Sequence, residues 1–392
     1  MEHTETRIGI IGFGSLMESL LPCCDSLLQG PREGHIFAVK GSEEGLARKR
    51  AQYSFEITAG DPLDMLKRIT PQVILFSPPP ALAEELTQTV LKPYYDGLRE
   101  TGAPLPLLIC FPPKPLPRFY RQTLGAGISQ ATLMPCAAQR AGSYDVGRYG
   151  YSLISMDGKA MPGQEQLGQL LDFTWPVGTA LNVGQDELTA ALAGMVTAHN
   201  VYELCFTLQN AFSLCGRETS SVQIASQMRF ALRQFGPELP SQDKPGLPPC
   251  RREEEMGTLY QKITDLVIRA WYEGLCRFAA SQRLDLREFG PFLRGTMDVL
   301  LMTVQEESRE HLERLSAGCA TKGGLLERAL EMYPQTVGKP LAQWVAEEAA
   351  KEQRDAVGEE RSWPLELVER AAEVTQAVFE RGERIDEGQR QG

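Results

Sequence analysis

The sequence predicts an α/β protein: a doubly wound parallel sheet over residues 1–160, followed by an all-α region. Three observations predict this. Short continuous apolar runs alternate with amphipathic stretches before residue 135. Gly and Pro punctuate nearly every junction. Beyond Asp186, strand signals give way to long helical patterns.

The elements follow in order. Arg7–Ile11, His35–Val39, Val73–Ser77, Leu105–Cys110 and Ala131–Met134 read as strands, apolar throughout as in a sheet covered on both faces. Between them, Ser15–Leu28, Glu43–Ala51, Pro62–Ile69, Ala81–Glu100 and Leu116–Leu124 read as helices. A Gly/Tyr-rich segment, Gly142–Tyr151, leads into a last strand at Tyr151–Ser155. Gln164–Leu171 reads as a helix and Thr174–Val183 as a connecting strand with loop. Helical patterns then cover Leu188–Leu214, Ser221–Gln234, Arg252–Ser281, Gly290–Ser316, Gly324–Met332 and Leu341–Arg354. The Pro-rich stretch Gly236–Cys250 reads as an exposed loop, within an insertion spanning 236–285. This gives a helical domain over 161–355 and a charged tail, 356–392, with one helix at Pro364–Arg381.

With 392 residues, the chain has room for two or three domains at roughly 150 residues each. Its 42% hydrophobic and 23% charged residues are ordinary for a globular protein. A net charge of −11 without a dense Lys/Arg stripe argues against nucleic acid or an anionic membrane surface as partner. No apolar run approaches the roughly 20 residues that span a bilayer, and the opening Met-Glu-His-Thr-Glu-Thr lacks the features of a signal peptide. Nine cysteines, an odd number that never forms C-x-x-C, point to reduced thiols and a cytoplasmic setting. The four histidines are widely separated and outline no metal site.

The chemistry starts at Arg7–Glu18, an apolar strand followed by a glycine turn and a helix start. That order builds a dinucleotide-phosphate site in a Rossmann-type sheet. Gly12 permits the tight turn, Gly14 lets the backbone approach a pyrophosphate, and the helix from Ser15 aims its N–H groups at the phosphates. Met17 departs from the pattern, standing where a small residue allows close helix–strand packing. At the end of the second strand, Val39-Lys40-Gly41-Ser42 has no carboxylate to hold a ribose 2′-hydroxyl. Lys40 and Ser42, with Arg48 on the next helix, favour a 2′-phosphate and hence NADP. Ser77-Pro78-Pro79 and Cys110-Phe111-Pro112-Pro113 give two adjacent strands the same stiff exit, consistent with a preformed cleft.

Across both halves the chain resembles the pyrroline-5-carboxylate reductase family. Gly9–Leu20 resembles that family's I-G-x-G-N-M-A-E-A-L opening, including Glu18. Val73–Pro79 stands in place of V-I-L-A-V-K-P, and Leu133–Ala138 in place of R-x-M-P-N-T-P-A. Leu192–His199 stands in place of L-S-G-S-G-P-A-Y, and Ala320–Glu327 in place of S-P-G-G-T-T. The resemblance implies a cofactor site at Gly12, Phe13, Gly14, Ser15, Leu16, Lys40, Ser42, Ser77, Pro78 and Pro79. It also implies hydride delivery from NADPH to a C=N bond of a small-molecule substrate, and an all-α dimerisation domain forming a homodimer. The resemblance places His199 at the family's tyrosine, where it is a candidate proton donor. Thr321 and Lys322 beside the Gly323-Gly324 turn are candidates for holding the substrate, and Cys136 is a candidate to face it. Both serines of the family's S-G-S-G segment are missing. Leu325 and Leu326 replace hydroxyls that in the family hold the substrate, which points to a different substrate. Two other readings stay open: a catalytically degenerate NADP-binding module, and a dehydrogenase of 2-hydroxy acids or ketones. Against the latter, Leu188–His199 contains no lysine.

Overall fold

The computed structural model describes residues 6–21, 34–40, 43, 45–135, 151–174, 179–234, 259–320, 324–352 and 363–390. The chain divides into two compact units, Met1–Leu188 and Thr189–Gly392. The division therefore falls after the last strand rather than at the expected residue 160.

The first unit holds one eight-stranded sheet in the order β3-β2-β1-β4-β5-β6-β7-β8. Its strands are β1 (Ile8–Ile11), β2 (Ile36–Val39), β3 (Glu56–Thr58), β4 (Val73–Phe76), β5 (Leu107–Cys110), β6 (Ser129–Pro135), β7 (Tyr151–Ser155) and β8 (Thr179–Asn182). The first six run parallel in the order 3-2-1-4-5-6 of a Rossmann-type doubly wound sheet. β7 reverses direction against β6, and β8 runs parallel to β7. The apolar runs follow from burial on two faces. Ile8, Ile10, Val73, Leu75, Leu107 and Ile109 join one core cluster, while Ile11, Ile74, Phe76, Leu108 and Cys110 join the other. Each fully buried side chain of this size contributes roughly 1.5–3 kcal/mol.

Helices α1 (Ser15–Leu20), α2 (Leu46–Gln52), α3 (Pro62–Ile69), α4 (Pro80–Leu86), α5 (Lys92–Thr101), α6 (Pro117–Leu124) and α7 (Gln164–Thr174) complete this unit. Asp61 caps α3 by accepting from the Leu63 N–H at 2.8 Å. The stretch expected as one helix, Ala81–Glu100, is interrupted by a π-helical turn at Thr87–Leu91. Pro93 explains it: its ring cannot donate to the helix ladder, and a wider turn just before it absorbs the mismatch.

Among its described residues, the second unit has helices and no strands. Its helices are α8 (Leu188–Ala198), α9 (Val201–Leu214), α10 (Ser221–Gln234), α11 (Leu259–Ser281), α12 (Leu286–Glu306), α13 (Arg309–Cys319), α14 (Leu325–Tyr333), α15 (Lys339–Glu352) and α16 (Trp363–Arg390). The helix expected over Leu188–Leu214 breaks at His199–Asn200, and the one over Gly290–Ser316 breaks at Glu307–Ser308. At the second break the Ser308 hydroxyl accepts from the His311 N–H at 3.3 Å and starts α13.

Two expectations are corrected here. Residues 259–281, within the stretch expected as an insertion, are no surface excursion: α11 buries Ile263, Val267, Trp271 and Leu275 and crosses α16 closely. A Cβ on its Gly274 would lie 2.5 Å from the Val368 carbonyl oxygen. Residues 363–390 are no separate tail either, because Leu367, Ala371, Val374 and Val378 form a fully buried stripe at helical spacing. The Pro-rich loop at 236–250 lies outside the described residues.

Candidate functional site

The glycine turn sits at the carboxyl ends of β1 and β4, where the strand order reverses. Gly12 has φ = +90°, a conformation that disfavours any side chain. Its N–H donates to the Val39 carbonyl at 3.0 Å, while the Ser77 N–H donates to the Ile11 carbonyl at 2.8 Å. A Cβ on Gly12 would lie 2.3 Å from the Ser77 carbonyl oxygen, so the turn is wedged directly beneath Ser77-Pro78. Around Gly14 the situation is opposite: it is exposed, and a Cβ there would meet nothing within 4 Å. Gly14 precedes α1, whose first-turn N–H groups at Ser15, Leu16 and Met17 have no intrahelical acceptor. A tight turn below and open space above suit the approach of a pyrophosphate to the backbone.

Side chains anchor this turn from below. Phe13 is fully buried, with its ring edge-to-face on Tyr53 at 5.3 Å and on Phe55 at 5.6 Å. Leu16 packs on the same core cluster, and Met17, the departure from the glycine pattern, is buried within it. Ser77 is half-buried, Pro78 buried and Pro79 exposed.

At the end of β2, Lys40 is half-buried and its N–H donates to the Thr58 carbonyl at 2.9 Å. The basic run on α2 splits into three roles. Arg48 is exposed. Lys49 turns inward, 2.6 Å from the Glu18 carboxylate. Arg50 donates to the Ile57 carbonyl at 2.8 Å. Neither Lys49 nor Glu18 was singled out from sequence as a pair, because a Lys within Arg-Lys-Arg carries no sign that it faces inward. Ser42 and Cys136 lie outside the described residues. Cys110, at the end of β5, is an inert thiol: burial pushes it up to about 12, against hydrogen bonds from Gln130 and Tyr120.

The remaining candidates belong to the second unit. Thr321 and Lys322 lie outside the described residues; Leu325 is half-buried and Leu326 buried. His199 sits at the break between α8 and α9, and burial lowers it to about 4, against a hydrogen bond to the Met195 carbonyl. Burial thus favours the uncharged imidazole, in which one ring nitrogen still carries a proton. Beside it, Asn200 is completely buried and neither end of its side-chain amide has a partner. Sequence reading passed over Asn200, since the helical pattern runs on through it from Leu188 to Leu214. Among the described residues, no group of three or more His, Cys, Asp or Glu is placed to hold a metal ion. None of their helices is long and apolar enough to cross a membrane.

No protein-family model matches the chain, and no curated protein matches it in sequence. Among solved structures, it is similar to a Plasmodium falciparum pyrroline carboxylate reductase with NADP bound. The identity is 12% and the TM-score 0.38, over 91% of this chain and 98% of that one. It is also similar to a prephenate dehydrogenase from A. aeolicus in complex with hydroxyphenyl propionate and NAD+. There the identity is 13% and the TM-score 0.39, over 91% of this chain and 100% of that one. A D-mandelate dehydrogenase with NADH gives 10% identity and a TM-score of 0.39, over 90% of this chain and 100% of that one. Likenesses at this level add no assignment to what the strand order itself provides.

Proposed function

We propose that the chain is an NADPH-dependent reductase acting on the C=N bond of a cyclic imine similar to pyrroline-5-carboxylate, or on a related small carbonyl compound. The observation that carries this reading is the glycine turn at the strand-order reversal. Gly12 is locked under Ser77, and the backbone at Gly14 faces open space. Gly12, Phe13, Gly14, Ser15 and Leu16 would hold the pyrophosphate side, and Ser77, Pro78 and Pro79 the rim. Lys40, Ser42 and Arg48 supply the basic and polar groups that favour a 2′-phosphate. When bound, the dinucleotide supplies the hydride. The protein's part is to orient the cofactor and exclude water.

A second reading is a catalytically degenerate NADP-binding module. One observation favours it: the second unit's candidate proton donor, His199, is buried beside Asn200 with its Nδ1 unpartnered. Leu325 and Leu326 replace substrate-holding hydroxyls in either reading. We further propose a homodimer formed through the helical unit, in a cytoplasmic setting. Leu214 (87% exposed) and Phe230 (58%) offer apolar surface for a second copy there. Cys110, Cys205, Cys215 and Cys276 are free thiols, as a reducing compartment would keep them. Light scattering of the purified chain tests the dimer.

Titration with NADPH and NADH, followed by a screen of cyclic imines and 2-oxo acids for NADPH oxidation, tests the enzyme reading. Binding with turnover of an imine supports it. Binding without turnover across the panel favours the module, and binding of neither nucleotide removes both readings.

A further inference from the structure

We infer that Lys49 is a positioning residue for the dinucleotide turn, clamping Phe13 and Glu18 so that the turn is set before any ligand arrives. This rests on the reading of that turn as a dinucleotide site. Lys49 is only 4% exposed, and a lysine is almost never buried to that degree without a partner. Its ammonium lies 2.6 Å from the Glu18 carboxylate on α1 and 4.9 Å from the centre of the Phe13 ring. One cation on α2 thus holds both the helix that follows the glycine turn and the single side chain within it.

The grip matters because of what surrounds Phe13. Gly12 and Gly14 have no side chains, so the Gly-Phe-Gly stretch loses much conformational freedom on ordering. Phe13 supplies its one side chain, adding to the backbone contacts of Gly12. Tyr53 and Phe55 hold two edges of its ring, and Lys49 closes over a face with a cation–π contact. Lys49 also belongs to the helix that carries Arg48, the candidate for a 2′-phosphate. The clamp therefore links the phosphate side of the site to its ribose side and fixes their separation in the absence of ligand. Such preorganisation raises affinity by removing an ordering cost at binding. A purely structural ion pair would contribute to the stability of the unit and leave nucleotide affinity in the folded protein unchanged.

The test uses the full chain and four variants: Lys49→Met, Glu18→Gln, Lys49→Arg, and the exchange Glu18→Lys with Lys49→Glu. NADPH and NADH are titrated by nicotinamide fluorescence, and amide exchange over residues 12–18 is measured without nucleotide. Lys49→Met and Glu18→Gln should each weaken both nucleotides about tenfold or more and speed that exchange. Lys49→Arg should restore most of the affinity, and the exchanged pair part of it. If Lys49→Met fails to fold, Glu18→Gln and Lys49→Arg decide the matter. Folded variants that bind within about twofold of the wild type, with unchanged exchange, overturn the inference alone. A wild-type chain that binds neither nucleotide overturns the dinucleotide reading and this inference with it.

Discussion

The glycine turn in the first unit and the helix break in the second bury polar groups to a similar depth but treat them oppositely. At the turn, the buried ammonium of Lys49 has a carboxylate and an aromatic face for company. At the break, His199 and Asn200 are buried with unpartnered side-chain atoms. Partners, rather than depth, decide whether a buried group keeps its charge. The turn thus surrounds its lysine with a carboxylate and a ring, whereas burial at the break favours the uncharged imidazole. The first region pairs its buried charge; the second leaves buried polar atoms unpaired.

The largest effect expected is at Gly12. Gly12→Val would drive a side chain into the Ser77 carbonyl at a backbone angle that valine cannot adopt. It should abolish dinucleotide binding and lower stability by more than about 2 kcal/mol. Calorimetry together with nucleotide titration checks this, and normal binding would break the comparison at its stronger side. Gly274→Val sharpens it, because its Cβ meets an equally unyielding backbone in the helical unit. A loss of about 2–3 kcal/mol is expected from overpacking, with nucleotide affinity in the folded fraction unchanged. Urea unfolding and titration separate the two effects.

His199 comes next. Its folded-state pKa of about 4 lies below the ordinary 6.5, so between these values the unfolded chain takes up the proton that the folded chain refuses. Stability should therefore fall as pH is lowered from 6.5 toward about 4, and His199→Phe should flatten that slope in denaturant titrations at stepped pH. A slope that survives the substitution would show that His199 is not its source. The smallest effect belongs to Asp157. Burial alone would raise its carboxyl, but the Arg121 guanidinium at 2.7 Å and the Lys159 N–H outweigh that and hold it below 3.8. Its contribution should be full above pH 3.8 and fade as pH falls below. Asp157→Asn should cost about 1 kcal/mol near neutrality, read by thermal unfolding.

Periodicity made the sheet legible because both faces of β1, β4 and β5 are buried, leaving strands with no polar position to confuse the pattern. β3 escaped notice, since only Ile57 of its three residues is buried. The reversal of β7 also leaves no trace in composition, as a buried strand reads alike in either direction. In the helical unit the apolar pattern runs unbroken through His199–Asn200, and no Gly or Pro marks the break. The geometry of Gly12 was readable from its place after an apolar strand. Its anchor was not, because the inward turn of Lys49 depends on Glu18, Tyr53 and Phe55 arriving from separate elements.

The small residues of α16 have a consequence for how the helical unit assembles. Gly382 is so close to Thr189 that a Cβ there would lie 2.6 Å from the threonine methyl carbon. The unit thus brings its own two ends together, across a loop of roughly two hundred residues, before that packing is complete. Each doubling of a closed loop adds only roughly 0.6 kcal/mol, so the arrangement costs little at equilibrium. Its burden is kinetic: contacts this distant in sequence form late, and the helical unit should reach its final packing only after a long-range search.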